Sequence, residues 1–199
     1  MAQIPVIEGG AGVRRSLSTE EASKLTSEKP SPSIRVRQPL FSEILTRVHK
    51  AKDKPAKVKI LKEENCRGLQ QLCQWAFNPN IASDLPSGTP PYVENDAPEG
   101  TEHMLLRTEG DKLWHFVKTQ TNYGKVTKDE PARYKQANPN LQQTQKERMF
   151  IRLLEGLHKD EAELLINVKD KRLHQIYKGV SSEVIREAFN WDKNYQVIR

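Results

Sequence analysis

Apolar residues between Met149 and Tyr177 recur at the spacing of α-helices, and the pattern breaks near Leu157 and again near Lys169. This arrangement predicts three short amphipathic helices in succession. Such helices are stable only when other elements cover their apolar faces. The block therefore predicts the centre of a small helical domain. Its apolar positions are Phe150, Leu153, Leu154, Leu157, Ala162, Leu164, Leu165, Val168, Leu173, Ile176 and Tyr177.

Two earlier segments show the same spacing. An apolar stripe over 40–48 predicts a first helix, and a second helix is predicted from near Pro55 to Phe77, with Asp53 as its cap. Asn78 and Pro79 then end it, because the residue before a proline disfavours helical geometry.

The two cysteines, Cys66 and Cys73, fall on this second predicted helix. Seven residues of helix would hold their Cα atoms about 10 Å apart, which is beyond the reach of a disulfide. The sequence therefore predicts two free thiols that act as small buried apolar groups, and it gives no sign of an oxidising compartment.

Residues 78–100 form a long, proline-rich segment without helical spacing, and they are predicted to be a loop. Its apolar side chains are expected to hold it on the domain: Ile81, Leu85, Tyr92 and Val93.

A third helical region is predicted after Thr101, which would cap it, with Gly110 as a break. A short hairpin between Arg107 and Thr119 is the one place where β structure is expected, and the polar residues 119–141 indicate a surface excursion. Ser181 or Ser182 is predicted to cap a last helix. The core candidates of these two regions are Met104, Leu105, Leu113, Trp114, Phe116, Val117, Val184, Ile185, Ala188 and Phe189.

These elements predict a mainly α protein: a small multi-helix domain with a long Pro-rich loop and an extended N-terminal arm. The arm is residues 1–38, whose Gly, Pro, Ser and Lys content cannot bury enough apolar surface to fold alone. The helical domain spans 39–190, and 191–199 form a C-terminal tail with Trp191 and Tyr195.

Composition changes this picture only modestly. The 199 residues carry a formal net charge of +6 and a pI of about 9.3, which favours polyanionic partners such as nucleic acid or an acidic protein face. The sequence shows neither the apolar core of a signal peptide nor an apolar run of about 20 residues. The expectation is a soluble protein made inside the cell, with no membrane partner.

A run of basic residues is the sharpest candidate site, and Asp53 is the only acid within its central span. Such a run could follow a phosphate backbone with salt-sensitive, sequence-blind affinity. It lacks the interleaved aromatic residues of single-strand binders and a recognition helix. The alternative is a solvated basic face or a contact with an acidic protein. The candidate contact residues are Arg35, Arg37, Arg47, Lys50, Lys52, Lys54, Lys57, Lys59 and Lys62.

The sequence offers little for catalysis or cofactor binding. No two histidines stand at helical metal-ligand spacing, and neither cysteine belongs to a CxxC motif. Nucleotide-fold glycine fingerprints and nucleophile elbows are also missing. We therefore expect no cofactor, no metal and no enzymatic activity.

Two pairs of motifs resemble a known family. The first pair is WAFNPNI at 75–81 with LPSGTPPY at 85–92, and the second is FIRLLEGLHKDEAELL at 150–165 with VKDK at 168–171. They are similar to an uncharacterised family of proteins from large contractile-tailed bacteriophages, over roughly residues 40–190. The resemblance implies no activity or functional residue. It implies a location in the host cytoplasm during infection, and the virion as a further one.

The leading hypothesis is a non-enzymatic bacteriophage protein that acts through protein–protein contacts, as a virion structural or assembly component in many copies. Its partners would be other phage proteins. The alternative is a nucleic-acid-associated accessory protein for phage replication, transcription or packaging. It would bind nucleic acid weakly and non-specifically through the basic run.

Overall fold

The protein is mainly α: in the computed structural model about 53% of the described residues are helical, and there is a small three-stranded sheet. It describes residues 38–96, 98, 103–122 and 131–198. These belong to one unit, Gln38–Arg199, which includes the predicted tail. The predicted arm lies outside the described residues except for Gln38, and so do Arg35 and Arg37.

The described residues contain eight α-helices, one 3-10 helix and three strands. Every element is short, so the domain depends on packing between elements. In chain order they are α1 Phe41–Lys50, α2 Lys54–Glu63, α3 Arg67–Phe77, β1 Ile81–Ser83, α4 Leu106–Glu109, the 3-10 helix Gly110–Phe116, β2 Val117–Gln120, β3 Tyr134–Gln136, α5 Gln143–Gly156, α6 Lys159–Lys169, α7 Leu173–Ile176 and α8 Ser182–Phe189.

The three helices predicted between Met149 and Tyr177 are confirmed as α5, α6 and α7. The first break has a local cause: His158 is the N-cap of α6, and its Nδ1 accepts a hydrogen bond from the Asp160 N–H at 3.3 Å. All the predicted apolar positions are buried except Ile176, which is 44% exposed, and Tyr177, which is half-buried.

Leu153 on α5 supplies a direct test of this packing, because its side chain is only 5% exposed. We expect Leu153→Ala to lower the free energy of unfolding by about 2–5 kcal/mol, since it removes buried methyl groups and leaves a cavity. Chemical denaturation measures the change, with Arg152→Ala on the exposed face of α5 as the control. A loss below about 0.5 kcal/mol would contradict the core position of Leu153.

The single helix predicted from Pro55 to Phe77 is wrong. The chain leaves helical geometry after Glu63, and Cys66 has an extended backbone, φ −147° and ψ 161°, as the N-cap of α3. The two cysteines therefore do not share a helix. Both are free; Cys66 is half-buried, whereas Cys73 is fully buried and its burial raises the pKa of the thiol.

The predicted hairpin between Arg107 and Thr119 is also wrong. Most of that segment forms α4 and the 3-10 helix, and β2 follows at its end. The sheet is antiparallel in the order β1-β2-β3. Its central strand pairs Thr119 with Ile81 of β1 and with Lys135 of β3. Thus β1 lies inside the predicted loop 78–100 and β3 inside the predicted surface excursion. Residues 84–96 contain no helix or strand.

The hydrophobic core departs from prediction at a few positions. Trp191 and Tyr195 are each only 5% exposed, so the segment predicted as a tail contributes to the core. Three predicted core or anchor residues are exposed instead: Val93, Leu105 and Trp114. The predicted cap Thr101 lies outside the described residues, whereas the Ser181 side chain does cap α8 by accepting the Val184 N–H at 3.4 Å.

Two glycines bring α3 into backbone contact with the segment that follows α4. A Cβ added to Gly110 would lie 2.3 Å from the Gly68 Cα, and a Cβ on Gly68 would lie 2.8 Å from the Arg107 carbonyl oxygen. Any side chain at these positions would force the elements apart. The close packing of the two segments therefore requires glycine at both positions.

A buried carboxylate joins three helices. Glu161, on the first turn of α6, is 1% exposed. Its Oε1 accepts the Phe41 N–H at 2.9 Å and its Oε2 accepts the Leu106 N–H at 3.0 Å. Phe41 and Leu106 are the first residues of α1 and α4, whose N–H groups have no partner within their own helices. One side chain therefore satisfies the N-termini of two helices distant in sequence.

Candidate functional site: the basic corner

The predicted basic residues from Arg47 to Lys62 lie where α1 meets α2. Arg47 and Lys50 are in the last turn of α1, Lys52 is in the connecting turn, and the other four are on α2. All are exposed except Lys57, which is half-buried. We call this surface the basic corner; its residues are Arg47, Lys50, Lys52, Lys54, Lys57, Lys59 and Lys62.

Helix α8 brings two carboxylates to the basic corner. It packs against α2, and the Lys54 Nζ lies 2.6 Å from the Glu183 Oε1 and 2.9 Å from the Glu187 Oε2. The hydrogen bond with Glu183 raises the pKa of Lys54, and the same bond lowers the pKa of Glu183. Lys54 is therefore neutralised by acids more than a hundred residues away in sequence, which local charge counting cannot detect.

Two further cations of the corner have carboxylate partners. The Arg47 Nη2 lies 2.6 Å from the Glu64 Oε1, and the Lys59 Nζ lies 3.8 Å from the Glu63 Oε1. Such exposed pairs contribute little stability, but they reduce the charge that the surface offers. Four lysines have no ion pair among the described residues: Lys50, Lys52, Lys57 and Lys62.

The turn before α8 packs against one side of the basic corner, through Gly179. The Gly179 N–H donates to the His49 Nδ1 at 3.2 Å, and a Cβ on Gly179 would lie 2.9 Å from the His49 Cα. The same Cβ would lie 3.1 Å from the Lys57 Nζ. This turn therefore adjoins the free Lys57, and the preceding exposed residue, Lys178, adds a positive charge beside it.

The corner is thus a surface of mixed charge. Four free lysines are available for charge-assisted hydrogen bonds to carboxylates or phosphates. On the side facing α8, Glu183 and Glu187 would repel a phosphate backbone. A surface with acidic and basic groups side by side can be complementary to a protein partner, because a protein surface also carries charges of both signs.

The motifs behind the family resemblance meet in a second polar cluster. The Lys169 Nζ donates to the Pro86 carbonyl at 2.8 Å, and the Gly88 N–H donates to the Asp170 Oδ2 at 3.1 Å. These bonds fasten the segment LPSGTPPY to the end of α6. Polar side chains therefore hold this segment, in addition to its two predicted apolar anchors, of which Leu85 is buried and Tyr92 is half-buried.

Lys171 completes this cluster from an unusual backbone position. It lies in the left-handed region, φ 60°, just after α6, where glycine is the common residue. Its ammonium donates to the Trp75 carbonyl and, at 2.9 Å, to the Asn78 carbonyl at the end of α3. Burial lowers the pKa of Lys171 to about 8, and the side chain is still charged at pH 7. It therefore ties the end of α3 to the end of α6.

A buried ion pair fixes the start of the same segment. The Lys146 Nζ lies 2.6 Å from the Asp84 Oδ2, and the side chains are 0% and 8% exposed. Lys146 belongs to α5 and Asp84 follows β1, so the pair joins the sheet to the helical core. A buried lysine at this position could not be predicted from the sequence, because Lys146 is flanked by the polar residues Gln145 and Glu147.

The described part of the chain contains no group of three or more His, Cys, Asp or Glu side chains arranged to hold a metal ion. None of its helices is long and apolar enough to cross a bilayer.

Comparison with known proteins gives a family. No curated protein and no solved structure matches the chain significantly. A family model described as a family of unknown function, DUF6433, matches residues 44–175, about two thirds of the chain. The match covers the basic corner and all four motif segments, whereas α8 with Glu183 and Glu187 lies beyond it. The chain therefore belongs to the DUF6433 family of unknown function.

Proposed function

We propose that this protein is a non-enzymatic bacteriophage protein that works through protein–protein contacts, as a virion or assembly component present in many copies. Its arm, residues 1–38, would dock on neighbouring proteins, and the basic corner would be a second contact face. The motif resemblance supports the phage context, and with it a location in the host cytoplasm during infection and in the virion.

The observation that carries the proposal is the Lys54–Glu183–Glu187 cluster. A surface that binds any stretch of duplex DNA gains affinity from each cation that releases a counterion from the phosphates. Here α8 neutralises one lysine and adds a second carboxylate next to it. That arrangement weakens phosphate binding and leaves Lys50, Lys52, Lys57 and Lys62 for carboxylates of a protein partner.

Charge reversal at free lysines tests the proposal. We expect Lys50→Glu/Lys52→Glu to reduce the number of copies per purified particle by about tenfold or more, because each reversal places like charges opposite an acidic partner. The matched control is Lys135→Glu/Lys193→Glu, which changes the same net charge at exposed positions outside the corner. Mass spectrometry of virions from infections complemented with each variant gives the copy number. Equal incorporation of both variants would contradict the corner as a contact face.

The nucleic-acid alternative gives a different result with the same proteins. If the corner contacts phosphates, binding to arbitrary duplex DNA should fall with salt at a log–log slope near −0.9 per contact. The Lys50→Glu/Lys52→Glu variant would then show a shallower slope and the control would not. We expect no DNA binding at physiological salt. Tight, salt-dependent binding there would replace the proposed function with the accessory role.

A further inference from the structure

A concave surface lies apart from the residues of the basic corner, between α3, the 3-10 helix, β2 and the C-terminal segment. Its volume is about 710 Å³, within the roughly 300–1,000 Å³ of typical ligand sites. Amide side chains and tryptophans dominate its lining. We call it the amide groove; the residues that matter for its chemistry are Gln71, Gln74, Trp75, Trp114, Asn194 and Gln196.

The amide groove offers almost no net charge. No Asp or Glu side chain is among the described residues that line it, and its one cation is Arg67. The Arg67 Nε lies 2.8 Å from the Asp111 Oδ1, so that charge already has a partner. A phosphorylated or carboxylated ligand would find no free cation here, and a cationic ligand would find no carboxylate.

Several side-chain amides of the groove are available to a ligand. Those of Gln71, Asn194 and Gln196 make no hydrogen bond within the described part of the chain, and all three retain solvent exposure. A purely apolar ligand would remove these amides from water without replacing their hydrogen bonds, which costs free energy. The groove therefore suits a ligand that both donates and accepts hydrogen bonds.

The groove is also held in shape before any ligand binds. The Gln74 Nε2 donates to the Tyr195 carbonyl at 2.7 Å, and the Asn78 Nδ2 donates to the Gln74 Oε1 at 2.9 Å. The Lys171 ammonium donates to the carbonyls of Trp75 and Asn78, two residues that line the groove. A preformed site spares a ligand the cost of ordering these side chains.

The ligand class follows from these features. We propose that the amide groove binds a neutral oligosaccharide. Hydroxyl groups donate and accept in the same way as the amides. Trp114 lines the groove and is 41% exposed; its ring packs on His115, with the ring centroids 4.0 Å apart, and its exposed part is available to the apolar side of a sugar ring. An extended peptide fits less well, because the lining strand β2 is paired on both edges by β1 and β3 and has no free backbone edge.

The test uses the full chain on an array that holds neutral oligosaccharides of glucose, galactose, mannose and N-acetylglucosamine beside anionic glycans, and on a displayed library of uncharged peptides. Calorimetric titration with the strongest hit then compares variants. We expect Trp114→Ala and Gln71→Ala each to weaken binding by about tenfold or more. The matched control is Tyr134→Ala, an aromatic residue of similar exposure, 43%, on β3 outside the groove, and it should bind as the unaltered protein does. Thermal melting shows that each variant folds.

Three results would overturn the assignment. The first is that no neutral oligosaccharide binds. The second is that the hits are only anionic glycans, or that Trp114→Ala and Gln71→Ala bind the neutral oligosaccharide as tightly as the unaltered protein does. The third is that uncharged peptides from a displayed library bind in a Trp114-dependent way while glycans do not, which would make the groove a protein-binding site. The basic corner takes no part in this test, so the proposed function stands or falls separately.

Discussion

Replacing Glu161 by alanine should lower the free energy of unfolding by about 3–6 kcal/mol. The carboxylate satisfies the buried N–H groups of Phe41 and Leu106, and a hydrogen bond to a charged group contributes about 1.5–3 kcal/mol. Alanine would leave both donors buried without an acceptor. Glu161→Gln should lower the free energy of unfolding by less than Glu161→Ala does. The glutamine carbonyl oxygen can still accept one of the two N–H groups, whereas its NH2 group would face the other donor. Denaturant unfolding of the unaltered protein, Glu161→Gln and Glu161→Ala measures whether their stabilities decrease in that order.

The control for Glu161 is Glu163→Ala, which removes an exposed carboxylate from the same helix. It should change stability by less than about 0.5 kcal/mol. If Glu161→Ala matched this control, α1 and α4 would have to begin without the cap that the structure shows. Hydrogen exchange at Phe41 and Leu106 would localise the loss, because these amides should become less protected than those in the middle of α6.

Breaking the buried Lys146–Asp84 pair is expected to have the second large effect. Asp84→Ala should lower the free energy of unfolding by about 3–5 kcal/mol, because it leaves an ammonium at 0% exposure without its counter-charge. Lys146→Met/Asp84→Leu should recover most of that loss, since apolar residues of similar size replace both charges. Thermal and denaturant unfolding of the single and double variants form the comparison.

The exposed neighbour Arg148 on α5 is the matched control for this pair. Arg148→Met should alter stability by less than about 0.5 kcal/mol. A double variant that is no more stable than Asp84→Ala would show that the site needs the ion pair itself. A small effect of Asp84→Ala would show that Lys146 reaches solvent.

Helical spacing predicted the parts of the fold that depend on local sequence. The stripes of α1, α5, α6 and α8 bury the residues that their periodicity selects, and Ser181 caps α8 as its hydroxyl suggests. The break at Cys66 escaped prediction because the chain leaves helical geometry there without a proline or glycine. The strands escaped it because each has only three or four residues, too few for an alternating pattern to be recognised.

Long-range contacts explain what the sequence could not reveal about the candidate site. Local counting placed a single acid near Lys54, but its partners Glu183 and Glu187 arrive only when α8 packs on α2. Trp114 is likewise a large aromatic residue of the kind expected in a core, yet in the 3-10 helix it lies at the surface. The basic run was visible from sequence, whereas its neutralisation and the amide groove required the fold.

The contact between Gly68 and Gly110 has an evolutionary consequence. Every missense codon change from glycine adds at least a Cβ, and at Gly110 that atom would lie 2.3 Å from the Gly68 Cα. A lineage can therefore change neither position until the two segments have already moved apart, which would disturb the core beneath them. Single mutations can change the exposed surfaces gradually. At this contact, by contrast, both glycines have to be kept together as long as the two segments pack this closely.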